Sequence, residues 1–171
     1  MKRIYYYPIL LICVVIIVVL GWYCLFTPVT TIILVRHAER LNSTDTTSLS
    51  TEGFGRAVTL GRSVGSTGIG YIIVSEKQRT QQTAAPTAAS VGVTPVEIPS
   101  SDIGRVVDSI DAHKEEIILV VGHSDTVPLI ISDLGISPPP TISPNEFDRL
   151  FIVTKFHWRT TLLSLRYGNP T

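Results

Sequence analysis

The stretch Thr31-Ile-Ile-Leu-Val-Arg-His-Ala-Glu39 constrains this chain more than any other. β-Branched and large apolar residues run straight into Arg36 and His37. Such a run reads as a buried strand that ends abruptly in an arginine and a histidine. In open α/β sheets, ligands bind beyond the carboxyl ends of the strands. The Arg-His tip is therefore a candidate site for an anion and a nucleophile, and the rest of the chain can be searched for groups that join it.

Two further strands end in polar residues. Tyr71–Ser75 leads into Glu76-Lys77 and a helix over 78–90 that carries Arg79 in its first turn. Glu116–Val121 ends at Gly122-His123-Ser124-Asp125, with a helix expected from Thr126 to Leu134. Ser50 is placed to cap a helix over Thr51–Ser66, with Gly53 at the position where a capping box would carry an acid. Pro86 should kink or break the helix it lies in. Pro95 makes Val93–Ile98 an edge strand. Ser101 or Asp102 caps a helix to about His113, Ser137–Pro144 is a proline-rich loop, and Leu150–Phe156 and Thr161–Arg166 alternate like two strands of a terminal hairpin-like pair joined by the turn around His157 to Thr160. Strands alternating with helices predict a three-layer α/β/α domain over 31–171 with a mostly parallel central sheet.

Residues 1–30 read as an N-terminal membrane anchor and short linker. Ile4–Phe26 holds no charged residue, and Pro8–Leu25 is 18 residues, about 27 Å as a helix. Aromatic residues flank the run, and Lys2 and Arg3 precede it, which predicts a cytoplasmic N-terminus and a domain on the other side. The alternative is a signal peptide cleaved after Gly21, giving a secreted domain, but the apolar run exceeds the usual ~7–15 residues. Strand one would start at the membrane-near end, leaving Arg36 ~17–20 Å further along.

Both cysteines, Cys13 and Cys24, fall in that segment, so the domain has no disulfide framework and no cysteine metal site. Setting aside Lys2 and Arg3 leaves 12 of the 14 basic residues against 14 acidic ones, so no basic footprint for nucleic acid is present. No metal-ligand cluster and no glycine-rich phosphate loop stands out, and no cofactor is expected.

In a parallel sheet the three tips share one edge. Two arginines and two histidines gathered there suit a phosphoryl group: guanidinium groups neutralise it, a neutral imidazole attacks phosphorus, and a protonated one holds the equatorial oxygens. With an unperturbed histidine titrating near ~6.5, a neutral His37 beside a charged His123 implies a mildly acidic optimum.

These motifs carry a resemblance. Leu34-Val35-Arg36-His37-Ala38-Glu39 is similar to the Arg-His signature of the histidine phosphatase superfamily. Leu49–Gly53 with Ala57 resembles its next helix start, Ser75 through Arg79–Ala84 its Ser…Arg…Gln-Thr-Ala block, and Gly122-His123-Ser124 its Gly-His motif. The tail, Phe151–Gly168, is similar to small bacterial members. The resemblance implies a capless branch 1 phosphatase with His37 phosphorylated in the first step and water hydrolysing the phosphohistidine in the second. It implies Arg36, Arg79 and His123 as phosphate-pocket partners, with Ser124 beside them. The substrate would be a small phosphorylated molecule or a phosphoprotein. A mutase is disfavoured, because no sizeable cap insertion fits between the strands. The proton donor stays open among Asp125, Glu97, Asp102, Glu39 and Asp45, or is absent, with Asp125 weighed first.

Two other readings fit the same residues. The same pocket could bind a phosphorylated ligand without catalysis. Alternatively, Gly122–Thr126 approaches the Gly-x-Ser-x-Gly elbow of a serine hydrolase, with Ser124 as nucleophile, Asp133 or Asp148 as acid and His157 as base.

Overall fold

The computed structural model describes residues 6–25 and 29–171, with the side chains of 23–25 set aside. Six strands form one sheet in the order β3-β2-β4-β1-β5-β6. They are β1 Thr30–Arg36, β2 Ile69–Val74, β3 Val96–Glu97, β4 Ile117–Gly122, β5 Arg149–Lys155 and β6 Thr160–Arg166. The helices are α1 Tyr6–Leu25, α2 Thr51–Val64, α3 Gln78–Val91, α4 Ile103–Ala112 and α5 Thr126–Asp133.

Alternation along β1 explains the layers. Ile33 and Val35 face Leu60 and Val64 of α2 and Ala84 and Ala88 of α3. Ile32 and Leu34 face Val106 and Ile110 of α4 and Val127, Ile130 and Ile131 of α5. A strand apolar on both faces must be covered on both, and the result is three layers with β1 and β4 at the centre.

The sheet is mixed rather than mostly parallel. β1, β2, β3 and β4 pair in parallel, whereas β5 runs antiparallel to β1 and β6 antiparallel to β5. The cause is the Pro-rich segment after α5. It carries the chain back to the end of the sheet where β1 finishes, so β5 enters beside Val35 and leaves beside Thr30. Chain order and hydrophobic alternation are the same for either strand direction, so neither indicated the reversal.

The expected transmembrane helix is not found: among the described residues, no helix is long and apolar enough to cross a membrane. α1 is a 20-residue helix, but its described side chains end at Trp22; residues 27–28 of the expected linker over 27–30, and the charged start at Lys2 and Arg3, lie outside the described residues.

Local expectations largely match. Ser50 caps α2 by accepting from the Gly53 amide, and β3 is a short edge strand. Asp102 is the cap of α4. α3 differs, because it runs through Pro86 without a break. Gly61 of α2 lets the two helices close on each other at that point; a Cβ there would sit 3.3 Å from the Thr87 nitrogen.

Gly53 lacks a capping-box side chain for a steric reason. A Cβ on it would lie 2.1 Å from the Glu39 carbonyl oxygen, in backbone that cannot yield cheaply. Gly53→Ala is expected to destabilise the protein by about 1–3 kcal/mol, the usual cost of overpacking, read as a shift of the urea midpoint. An unchanged midpoint would show that α2 does not press on the β1 tip as described.

Candidate active site

The parallel ladder between β1 and β4 sets the site. Arg36 is registered against Gly122, and the His37 amide donates to the Gly122 carbonyl at 2.9 Å. His37 and His123 therefore leave neighbouring strand ends together, and their rings meet edge to face with centroids 5.4 Å apart. Val74 of β2 pairs with Val121, which brings Ser75 and the start of α3 to the other side of His123. Gly122 is required here, since a Cβ would come within 2.9 Å of Thr126 Oγ1 and of the Val127 side chain.

His37 has a defined tautomer. Its Nδ1 lies 2.7 Å from the Ala38 carbonyl oxygen, which can only accept, so Nδ1 carries the proton and Nε2 keeps its lone pair. The Ala38 amide is held in turn by Thr83 Oγ1 at 3.0 Å, and Thr83 donates to the Arg79 carbonyl. The loop that carries His37 is thus tied to the helix that bears Arg79.

Arg36 is clamped by backbone. One Nη1 donates to the carbonyls of Ser143, Pro144 and Glu146 at 2.8–3.1 Å, and the guanidinium lies 4.0 Å over the Phe147 ring. Arg79 Nη1 donates to the Asp45 carbonyl at 2.9 Å, while the Asp45 carboxylate pairs with Lys77 at 2.6 Å. The loop over 40–49 therefore holds Arg79, and the segment over 143–147 holds Arg36.

Arg36, His37, Arg79 and His123 are each at most 9% exposed. Burial is also the main cause of the charge states of Arg36 and the two histidines. It lowers the His37 imidazole to about 3, helped by Arg36, His123 and Arg79, and lowers His123 to about 4, helped by Arg79. Arg36 is lowered to about 10 by burial and by Arg40 and Arg79, and stays cationic at neutral pH. The expectation of a charged His123 at mildly acidic pH does not fit this environment: two imidazoles near two guanidinium groups are both kept neutral.

Three buried polar atoms in this cluster have no hydrogen-bond partner: Nε of Arg36, Nε of Arg79 and Nδ1 of His123. Buried polar groups are nearly always paired, so orphaned nitrogens from three elements are the mark of a site for an anionic ligand. A cavity of about 500 Å³ lies apart from the histidines, lined by Glu39, Arg56 and the C-terminal residues.

The acids weighed as proton donors are otherwise engaged. Glu39 is held by Arg56, Glu97 accepts from Gln81, and Asp102 caps α4. Asp45 pairs with Lys77. Asp125 caps α5 by accepting from the Thr126 amide, yet its charge acts on both Arg36 and His123. Ser124 occupies the turn between β4 and α5 and is half-buried. The serine-hydrolase grouping is not assembled: His157 sits in the β5–β6 turn at the opposite end of the sheet, and Asp148 is bound by Arg166 at 2.6 Å.

Residues 32–100 match the histidine phosphatase superfamily (branch 1). The matched stretch carries Arg36, His37 and Arg79, and the fold adds His123 from outside it. A search of curated proteins found no match. Among solved structures, the chain is similar to a mycobacterial glucosyl-3-phosphoglycerate phosphatase at TM-score 0.68 and 12% identity, covering 82% of this chain and 100% of that one. It is similar to the protein histidine phosphatase SixA complexed with tungstate at TM-score 0.66 and 19% identity, covering 80% and 96%. It is also similar to the α-ribazole phosphatase from Shigella flexneri at TM-score 0.65 and 16% identity, again covering 80% and 96%. At these identities the likeness concerns the fold, which is that of histidine phosphatases.

Proposed function

We propose that the protein is a phosphatase that hydrolyses phosphomonoesters or phosphoramidates through a phosphohistidine on His37. The observation that carries this reading is the pinned His37 tautomer. Nδ1–H on the Ala38 carbonyl leaves an Nε2 lone pair beside His123, in a cluster where the Nε atoms of both arginines lack partners. In-line attack by Nε2 on phosphorus expels the leaving group and puts positive charge on the imidazole. The Ala38 carbonyl stabilises that charge, and Arg36 and Arg79 hold the equatorial oxygens. Water then attacks the phosphohistidine in the second step. The substrate is a small phosphorylated molecule or a phosphoprotein. Incubation with p-nitrophenyl phosphate and with a phosphohistidine peptide tests the reading; release of phosphate from neither would overturn it. Vanadate is expected to inhibit, and EDTA to leave the rate unchanged.

The pH dependence follows from burial. His37 is deprotonated well below neutrality, so the acid limb of kcat/KM is expected below pH 5 rather than near 6.5. For stability, both histidines have lowered folded-state values against about 6.5 unfolded, so the unfolded chain binds more protons between these values. Their contribution is full above pH 6.5 and is lost as pH falls toward 4 and then 3. Urea midpoints that rise as pH falls across this window would contradict it.

We further propose that the uncharged N-terminal run anchors the domain to a membrane on the non-cytoplasmic side. The support is the sequence: no charge over residues 4–26, with Lys2 and Arg3 before it. Retention in the pellet after alkaline carbonate extraction checks the anchor, and N-terminal sequencing of the mature protein checks the cleaved alternative.

A further inference from the structure

The phosphatase reading uses one face of His123 and leaves its other nitrogen unexplained. His123 Nε2 lies 3.0 Å from Ser75 Oγ, on β2's tip 48 residues away. Ser75 Oγ lies 2.9 Å from Thr80 Oγ1 in the first turn of α3. Thr80 is fully buried and Ser75 nearly so.

Each hydroxyl has one proton and two lone pairs, and the contacts around these two allow the protons only one arrangement. Thr80 Oγ1 lies 2.8 Å from the Lys77 carbonyl and 3.1 Å from the Ser75 carbonyl, both acceptors only. The Thr80 proton is therefore directed to backbone, with the Lys77 carbonyl the closer. The Ser75 amide donates to Thr80 Oγ1 at 3.2 Å. The 2.9 Å contact between the hydroxyls then requires the Ser75 proton, which fills the second lone pair of Thr80. Ser75 Oγ is left with two acceptor positions. The Lys77 amide takes one at 3.2 Å, and only a proton on His123 Nε2 can fill the other. The reverse order, with Ser75 donating to His123, strands Thr80 Oγ1 against the Lys77 carbonyl with no proton between them.

We infer that Thr80 and Ser75 are positioning residues that fix the His123 proton on Nε2 and so keep a lone pair on Nδ1, the ring nitrogen that has no protein partner. This inference rests on the phosphatase reading only for its chemical consequence. A lone pair cannot donate to a phosphoryl oxygen, so His123 enters the reaction as an acceptor. The substrate it suits is a phosphate monoester monoanion, whose P–OH proton passes to Nδ1 on docking. As His37 Nε2 forms its bond to phosphorus, the P–O bond to the leaving group breaks, and that oxygen takes the proton back from Nδ1. The ester leaves as an alcohol, His123 returns to its neutral tautomer, and His37 holds the phosphoryl group. No separate carboxylic acid is required, in keeping with the engagement of Glu39, Glu97 and Asp102 elsewhere. The charged groups that bear on His123 are Arg79, Glu76 and Lys77 from the α3 side and Asp125 from α5, with neutral His37 across the pocket.

The test is nitrogen-15 NMR of the histidine rings in the full chain, in detergent micelles at pH 7.5, for the unsubstituted protein, Thr80→Val and Thr80→Ser. The unsubstituted protein is expected to show His123 protonated on Nε2. Thr80→Val frees the Ser75 proton to donate to Nε2 and is expected to move the ring proton to Nδ1; Thr80→Ser keeps the parent tautomer. Where activity is present, Thr80→Val is expected to lower kcat by roughly ten- to a hundredfold, the scale of lost acid–base catalysis, with KM little changed, and Thr80→Ser to restore it. An Nδ1–H tautomer in the unsubstituted protein, or no tautomer change in a folded Thr80→Val, overturns the inference. The NMR result is independent of turnover, so a protein that shows the Nε2–H tautomer but hydrolyses nothing refutes the phosphatase reading and not this one.

Discussion

His37→Ala is expected to lower phosphatase turnover by roughly 10⁴–10⁶-fold, the scale seen when a covalent nucleophile is removed from a group that acts as a unit. The other buried nitrogens are differently committed: arginine guanidinium groups have no lone pair to offer, His123 Nε2 is bonded to Ser75, and the His123 Nδ1 lone pair is assigned to accepting the substrate's proton. Quenching the parent protein with radiolabelled substrate should trap an acid-labile phosphoryl group, and His37→Ala should trap none. Phosphate or vanadate should still bind the variant, because Arg36 and Arg79 are held by their own partners rather than by His37. Ser124→Ala should keep most activity. Turnover above a hundredth of the parent rate in His37→Ala, or its loss in Ser124→Ala, would reject the assignment.

The largest effect on stability is expected two residues away. Glu39 receives Arg56 through Nε at 2.8 Å and 3.0 Å and through Nη2 at 2.7 Å, and Arg56 Nη1 donates to the Tyr167 carbonyl. The Arg56 side chain is 7% exposed, so Glu39→Ala leaves a buried cation without its counterion. Breaking one half of such a pair costs about 3–5 kcal/mol. For a chain of this length that is a fall in melting temperature of about 6–20 °C. The double variant Glu39→Ala with Arg56→Met should recover much of the loss, since no stranded charge remains. A single variant no less stable than the double would show that the pair is solvated and that Glu39 is free for another role.

The histidines and arginines were legible in sequence because each stands at the end of a strongly apolar run or at the start of a helix, where type and place are both local. Ser50 and Asp102 were legible as caps for the same reason. What was not legible depends on groups without a residue signature or on distance. The carbonyls of Ser143, Pro144 and Glu146 that clamp Arg36 belong to the backbone, and a Pro-rich stretch gives no sign of what its carbonyls will meet. Ser75 and Thr80 resemble turn and cap residues, and only the register of β2 against β4 brings Ser75 to His123. The neutral state of both imidazoles was hidden because burial is a property of the assembled layers.

The return of the chain through residues 134–148 joins the antiparallel half of the sheet to the Arg36–His37 cluster. The segment that sets the direction of β5 also supplies every acceptor found for Arg36 and the ring beneath it. Transplanting this loop from a similar enzyme to alter substrate preference would therefore replace the arginine's cradle along with the recognition surface. Such chimeras should lose affinity for inorganic phosphate itself unless the three carbonyls and Phe147 travel intact with the graft.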